Sequence, residues 1–322
     1  MANPLIYVVM PVYHSNPVYL REAIDSILNQ TFRDFEFLII CDEPTYEEIQ
    51  LLSEYKKRDA RIFIFYQPAR QGLISSLNLG MAFSKGKYIA RMDADDISYP
   101  YRLQKQFEYM EAHPEVGVCG TGVKHITPLK TDNYLNPSTN AGILACMMLD
   151  GCPMVHPSVM MRTEFIKNIK GPYQPGFSYA EDYYLWIRCM GVTTFHNMDE
   201  ILLVYRSDGN NICARYHSKQ QEELKELREL AASYLGFPKQ GDKCRAEYLH
   251  ELFEFNTTHH KLSERSFNRI LSEVWYNDCL LNAYKGLQTW FDFWSSPLSE
   301  PISLSAVRKM KFFGACLLRK KL

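Results

Sequence analysis

Three carboxylates stand within four residues at Asp93-Ala94-Asp95-Asp96, directly after Arg91-Met92. Like charges this close repel, so gathering them in one place is costly without a cation. Mg²⁺ or Mn²⁺ favours such hard oxygen donors and often binds through one or two carboxylates together with substrate phosphates. The bland alternative is a solvated acidic turn that caps the next helix, and for an isolated Asp-x-Asp that alternative usually holds. A second acidic pair, Glu181-Asp182, opens the run Tyr183-Tyr184-Leu185-Trp186-Ile187-Arg188. Acids in a first helical turn complement the helix dipole; the chemical reading is a general base placed opposite the metal site. Asp42 follows Leu38-Ile39-Ile40-Cys41. A carboxylate there could accept hydrogen bonds from a nucleobase or ribose, or equally cap the helix after Pro44. In Met10-Pro11-Val12-Tyr13 the backbone and the Tyr13 ring could bracket a base, or form a simple turn. Arg70, close before Gly72, could face a diphosphate or be merely solvated.

These residues fall at the ends of predicted strands. The first 120 residues alternate between two periodicities. Short apolar runs at 5–10, 35–41, 61–66, 87–92 and 116–119 predict strands. Between them, helical stripes occupy 16–29, 45–57, 71–84 and 101–112, the first with Asn16 as cap and Pro17 at its first position. Apolar strands separated by amphipathic helices indicate an α/β fold, a mostly parallel sheet covered on both faces. Such sheets bind ligands beyond the carboxyl ends of their strands. The acidic cluster follows the fourth strand, which raises the metal reading well above the base rate of its motif. Residues 121–214 are less regular and hold six prolines, Pro128, Pro137, Pro153, Pro157, Pro172 and Pro175. A helix over 181–190 and a strand over 201–205 are predicted there. The texture changes near residue 215, where a helix over 219–235 begins, followed by two more over 244–255 and 263–287. We therefore expect a domain at 1–214 and a helical C-terminal region at 215–322.

The chain has 322 residues, 36 basic and 37 acidic, for a net charge of −1, with 46% hydrophobic and 23% charged residues. These values exclude a disordered, collagen-like or small disulfide-stapled chain. Near-neutral charge argues against a general polyanion binder, so no nucleic-acid partner is expected. The nine cysteines are scattered and form no CxxC pair, as expected of reduced thiols in the cytoplasm. No leader pattern and no run of about 18 apolar residues is found. Residues 308–322 hold six basic residues and no acid, with Phe312, Phe313, Cys316, Leu317 and Leu318 available for an apolar face. Such an end can lie on an anionic membrane surface, here the inner face of the plasma membrane, or pack on the body with a solvated rim. The aromatic segment with Trp275, Trp290, Phe291, Phe293 and Trp294 reads as core or as a homodimer contact.

Taken in order, the pieces MPVY at 10–13, the strand ending at Asp42, Gly72 through Asn78, Gly80, Lys85 and Gly86, MDADD at 92–96, Pro100 with Arg102-Leu103, His156-Pro157-Ser158, AEDYYLWIR at 180–188 and Tyr205-Arg206 form a recognisable set. The chain resembles family 2 of the nucleotide-sugar-dependent glycosyltransferases, with the fold called GT-A, over about residues 4 to 213. The resemblance implies that Asp42 binds the base or ribose end of the donor near Pro11 and Tyr13, and that Asp93 lies by the ribose and diphosphate. It implies Asp95 as ligand of Mn²⁺ or Mg²⁺, Asp182 as catalytic base, and Glu181 and His156 on the acceptor side. Family members often carry a His shortly after the Tyr-Arg pair; Asp208 stands there here, as a candidate metal ligand. The QxxRW motif of processive members is absent.

The expected activity is inverting transfer of a hexose or N-acetylhexosamine from a UDP-sugar to a saccharide acceptor. With the tail on a membrane, that acceptor would be lipid-linked, as in O-antigen or capsule assembly. Direct displacement needs no covalent intermediate, and Arg70 would help to hold the diphosphate charge. Two other classes compete. Aspartyl phosphatases use an Asp after their first strand, whereas this motif follows the fourth. A non-catalytic sugar- or nucleotide-binding subunit would have no need of Asp93, Asp95 and Asp182 together.

Overall fold

The computed structural model describes residues 4–149, 151–207 and 216–241. The chain separates into two compact units. One is made of Met1–Ile143 and Cys152–Leu224; the other holds Leu144–Gly151 and, of the described residues, 225–241.

The first unit is built on four parallel strands, β1 (Ile6–Val12), β2 (Phe35–Asp42), β3 (Ile62–Gln67) and β4 (Tyr88–Arg91), in the order β3-β2-β1-β4. β1 is central, and its sequence IYVVMPV is buried over nearly its whole length, because helices cover both faces of such a sheet. The connecting helices are α1 (Pro17–Leu28), α2 (Tyr46–Arg58) and α3 (Leu73–Phe83). Asn16 caps α1 by accepting from the Val18 and Tyr19 N–H groups. α2 opens on a capping box between Thr45 and Glu48 and ends on Lys56-Lys57-Arg58, both favourable to its dipole. α3 lies close to the sheet at Gly80, where a Cβ would overlap Val9 Cγ1. All seven elements lie within two residues of their predicted bounds.

After β4 come β5 (Ile97–Ser98), α4 (Arg102–Ala112), β6 (Val116–Ile126), β7 (Thr131–Tyr134), α5 (Asn140–Leu149), a 3₁₀ turn at His156–Ser158, β8 (Met160–Arg162), α6 (Thr163–Asn168), α7 (Glu181–Cys189), β9 (Thr194–Arg206) and α8 (His217–Tyr234). The sheet runs β3-β2-β1-β4-β8-β6-β9-β5, with β7 pairing β6. β8, β5 and β7 are antiparallel to their neighbours; the remaining strands share one direction.

Two strands are much longer than the sequence pattern suggests. β6 continues seven residues past Cys119, and β9 begins at Thr194 instead of near Ile201. In β6 the cause is glycine: the strand reads VGVCGTGVKHI, and glycine breaks an apolar run without ending the strand; β9 opens on TFHNMDE, which holds no apolar run. Cβ atoms at Gly117 and Gly120 would overlap Thr193 Oγ1 and Asn197 Oδ1, so these glycines make room for polar side chains at and next to β9. The register also shifts beside them, between Val116 and Val118 and between Thr121 and Gly122.

Asp208, the helices expected over 244–255 and 263–287, the aromatic segment and the basic tail lie outside the described residues. Among the described residues no helix is long and apolar enough to cross a membrane.

Candidate active site

The acidic cluster leaves β4 through a tightly held backbone. The Met92 N–H donates to the Val9 carbonyl at 3.1 Å. Arg102, fully buried at the start of α4, donates to the Arg91 carbonyl (2.7 Å), the Val159 carbonyl (3.3 Å) and Gln106 Oε1 (3.1 Å). Gln106 in turn donates to the Cys119 and Ser158 carbonyls at 2.7 and 2.9 Å. Gln30 closes the far side, donating to Ser98 Oγ and the Tyr99 carbonyl and accepting from the Leu103 N–H. Buried side-chain amides and a guanidinium that satisfy backbone carbonyls make the loop a fixed platform.

On that platform Asp93 and Asp95 are partly exposed and Asp96 is buried. One oxygen from each lies within 4.8 Å of the others. Arg91, 3% exposed, ion-pairs with Asp93. Asp96 Oδ1 accepts from the Arg206 N–H at 2.9 Å, while its buried Oδ2 has no hydrogen-bond partner. Burial and the charges of Asp93 and Asp95 push Asp96 well above the usual carboxylate range. The group fits a divalent cation on its own chemistry: hard oxygen donors, mutual repulsion and one unmatched buried oxygen. Asp93, Asp95 and Asp96 are the residues that could hold Mg²⁺ or Mn²⁺.

Glu181 and Asp182 form the first turn of α7. Asp182 Oδ1 accepts from the Tyr183 N–H at 2.7 Å, and Cys152 Sγ donates to Oδ2 at 3.8 Å. Burial, then the Asp182 charge, raises Glu181 to about 8. Burial raises Asp182 too, but the Tyr183 N–H, Arg91 and the Cys152 thiol oppose it. Burial beside the Asp182 charge thus favours the protonated form of Glu181 at neutral pH.

His156 lies beneath this pair. Its Nε2 is 2.7 Å from the Tyr173 hydroxyl and its Nδ1 is 4.0 Å from Glu181 Oε1. Burial and Arg91 hold His156 well below its ordinary range, so it is neutral and its approach to Glu181 is no ion pair. The Tyr173 backbone is held in turn by Asn78, which donates to its carbonyl and accepts from its N–H. Arg91 connects the two acidic groups: it pairs with Asp93, and its charge acts on Asp96, Glu181 and Asp182. Glu181 also feels the charge of Asp93. The two acidic sets thus occupy one electrostatic neighbourhood.

A third group gathers at the ends of β1 and β2. The Arg70 guanidinium lies over the Tyr13 ring, 4.8 Å from its centroid, and Tyr13 stacks on His14 at 4.1 Å. His14 and Glu43 are the described non-glycine residues with positive φ, +45° and +47°, and His14 Nε2 is 3.2 Å from the Glu43 carbonyl. Pro11 lies two residues past Val9, which pairs with Arg91, so the ends of β1 and β4 leave the sheet side by side. Asp42 is 3% exposed, and its two oxygens accept from the Gln71 and Gly72 N–H groups, each at 2.8 Å. The carboxylate thus holds the loop that carries Arg70; each oxygen keeps a second lone pair for a ligand.

Sequence reasoning does not single out Arg91, Arg102 and Gln106 as site residues. Arg91 did leave a signal, since an arginine ending the apolar strand YIAR must be buried and hence paired.

The family model described as glycosyl transferase family 2 matches residues 7–169. An O-antigen biosynthesis glycosyltransferase of Escherichia coli, WbnJ, is 36% identical over 210 residues, covering 63% of this chain and 79% of its own. Among solved structures, Staphylococcus aureus TarS in complex with UDP-GlcNAc superposes with a TM-score of 0.56 at 16% identity, covering 84% of this chain and 80% of that one. The mannosyltransferase PcManGT of Pyrobaculum calidifontis, in complex with GDP-Man and Mn²⁺, gives 0.55 at 12% identity, covering 91% and 85%. These likenesses agree with the GT-A fold expected from the sequence.

Proposed function

Because the chain belongs to glycosyl transferase family 2, we propose that it is an inverting transferase moving a hexose or N-acetylhexosamine from a UDP-sugar to a saccharide acceptor. The observation that carries this reading is the single neighbourhood of Asp93, Asp95 and Asp96 with Glu181 and Asp182, joined through buried Arg91. Asp93 and Arg91 form the wall against which the donor's ribose and diphosphate rest. Asp95 and Asp96 would hold the cation, and a bound Mg²⁺ or Mn²⁺ would offset the charge that develops on the departing diphosphate. Tyr13 faces the nucleoside end, and Arg70, over the Tyr13 ring on the loop that Asp42 positions, faces the diphosphate.

Asp182 takes the proton of the acceptor hydroxyl as that oxygen attacks the anomeric carbon from the face opposite the diphosphate. A positioned base of this kind contributes about 10²–10⁴-fold in rate. Glu181, protonated at neutral pH, can donate a hydrogen bond to the acceptor, with His156 and Tyr173 behind it. The UDP donor is supported by the TarS complex with UDP-GlcNAc, while the GDP-Man complex of PcManGT names the competing nucleotide. The Escherichia coli relative is named for O-antigen biosynthesis, and we assign this chain to the same kind of pathway, surface-polysaccharide assembly on a lipid-linked acceptor. The test is a thermal-shift panel of UDP- and GDP-sugars with and without Mn²⁺, on wild type and Asp95→Ala. The reading expects a UDP-sugar to raise the melting temperature, the rise to grow with Mn²⁺, and the Mn²⁺ increment to vanish in Asp95→Ala. A GDP-sugar alone giving the rise would overturn the donor assignment.

A further inference from the structure

The segment that delivers Asp182 is held from outside by α8. Glu223, half-buried near the start of that helix, accepts from the Ser178 N–H with Oε1 (3.1 Å) and from the Tyr179 N–H with Oε2 (2.9 Å). One turn earlier, Gln220 Nε2 donates to the Tyr179 carbonyl at 2.8 Å. The Tyr179 ring stacks on Tyr216, with centroids 4.7 Å apart. Four contacts, from Tyr216, Gln220 and Glu223, therefore converge on Ser178 and Tyr179.

Their location gives them a consequence. Ala180 follows immediately as the N-cap of α7 and supplies no side-chain cap. Asp182 is two residues further on. The other end of the segment is equally fixed, because Arg188 donates to the carbonyls of Lys170, Gly171 and Pro172 and Asn78 holds Tyr173. Among the described residues, the hydrogen bonds that hold 175–180 from another element come from α8; the Gln174 side chain turns back on 170–171, and the Phe177 ring packs on Tyr184 of α7 at 4.8 Å. Ser178 is exposed and Tyr179 partly so. Their N–H groups would find water if Glu223 were removed, so the fold gains little from this carboxylate.

We propose that Glu223 is a positioning residue for the reaction, acting through the Ser178 and Tyr179 backbone to set the first turn of α7 and with it the Asp182 carboxylate. This inference rests on the reading of Asp182 as the base. A displacement of about 1 Å in such a group can cost on the order of 10²-fold in rate, whereas a residue that serves the fold alone would change the melting temperature first.

The experiment uses the full chain as wild type, Glu223→Ala, Glu223→Gln, Asp182→Asn and, as control, the exposed neighbour Glu222→Ala. Hydrogen exchange is followed over 178–185, and UDP release from UDP-N-acetylglucosamine with Mn²⁺ and water as acceptor is measured in parallel. Glu223→Ala is expected to speed exchange at 178–179 and at 183–185. It should lower kcat about 10–100-fold while KM for the nucleotide sugar and the melting temperature stay near wild type. Glu223→Gln keeps one acceptor and should fall between, and Glu222→Ala should match wild type. Faster exchange confined to 178–179, with 183–185 as in wild type, overturns the proposal whatever the turnover. Wild-type kcat in Glu223→Ala, beside a dead Asp182→Asn, overturns it too. Full turnover in Asp182→Asn refutes the base itself and leaves the exchange result to decide the coupling.

Discussion

Replacing Glu181 by Gln removes a proton-binding site and little else, so its effect must depend on pH in a direction the structure dictates. Burial and the Asp182 charge raise this carboxyl from 4.5 to about 8 in the folded protein. Between those values the folded chain binds more protons than the unfolded chain, so stability falls as pH rises through the window. Each tenfold change in proton affinity is worth about 1.36 kcal/mol, which makes the whole interval on the order of 5 kcal/mol. Gln keeps the shape and has no charge to bury. Urea midpoints of wild type and Glu181→Gln at pH 4.5, 6.5 and 8.5 would read the difference. The two should be nearly equal at the lowest pH, and the variant should gain progressively above it, by several kcal/mol at pH 8.5. In an Asp182→Asn background the same comparison should shrink, because the second cause of the raised affinity is gone. Parallel pH dependences for wild type and Glu181→Gln would refute the assignment of a protonated Glu181.

Other perturbations test the remaining parts. Arg91→Met leaves Asp93 without its ion pair and should destabilise the protein by roughly 3 kcal/mol; the acid limb of its pH–kcat profile should move to higher pH, since Asp182 loses its nearby cation. Asp96→Asn relieves like-charge crowding, so the metal-free melting temperature should rise while the increment produced by Mn²⁺ shrinks, as differential scanning with and without EDTA would show. Asp42→Ala releases the Gln71 and Gly72 N–H groups and the Arg70 loop; calorimetric titration should find UDP binding weakened about tenfold or more, from about 1.5 kcal/mol of lost positioning. Gly80→Ala drives a Cβ into Val9 and should cost about 1–3 kcal/mol, which adding Val9→Ala should largely restore in denaturant titrations.

The parts of the fold that sequence reasoning reaches are those where one periodicity governs a whole element. β1 to β4 and their helices have apolar strands, caps and short connections, and their bounds follow closely. β6 escapes because Gly117, Gly120 and Gly122 are placed by Thr193, Asn197 and other chain segments, and no local pattern reports a neighbour so far along the chain; β9 escapes because its opening TFHNMDE holds no apolar run. The same limit applies at the site. Asp93, Asp95, Glu181 and Asp182 are visible as acids at element ends, and the structure brings them into one neighbourhood. Asp42 is also visible, but its two bonds to the Arg70 loop are backbone contacts that residue types do not encode. Glu223 on α8 looks like one acid among several in QQEELKEL, and only its meeting with Ser178 and Tyr179 distinguishes it.

The most direct measurement is the single-turnover rate of UDP release from a bound UDP-sugar by wild type and Asp182→Asn, with the UDP dissociation constant taken on the same samples. The account predicts a rate lowered by about 10²-fold or more in the variant and a dissociation constant within about twofold of wild type, because that carboxylate meets the acceptor and not the nucleotide. An Asp182→Asn protein that turns over at the wild-type rate, or one that no longer holds UDP, would contradict it.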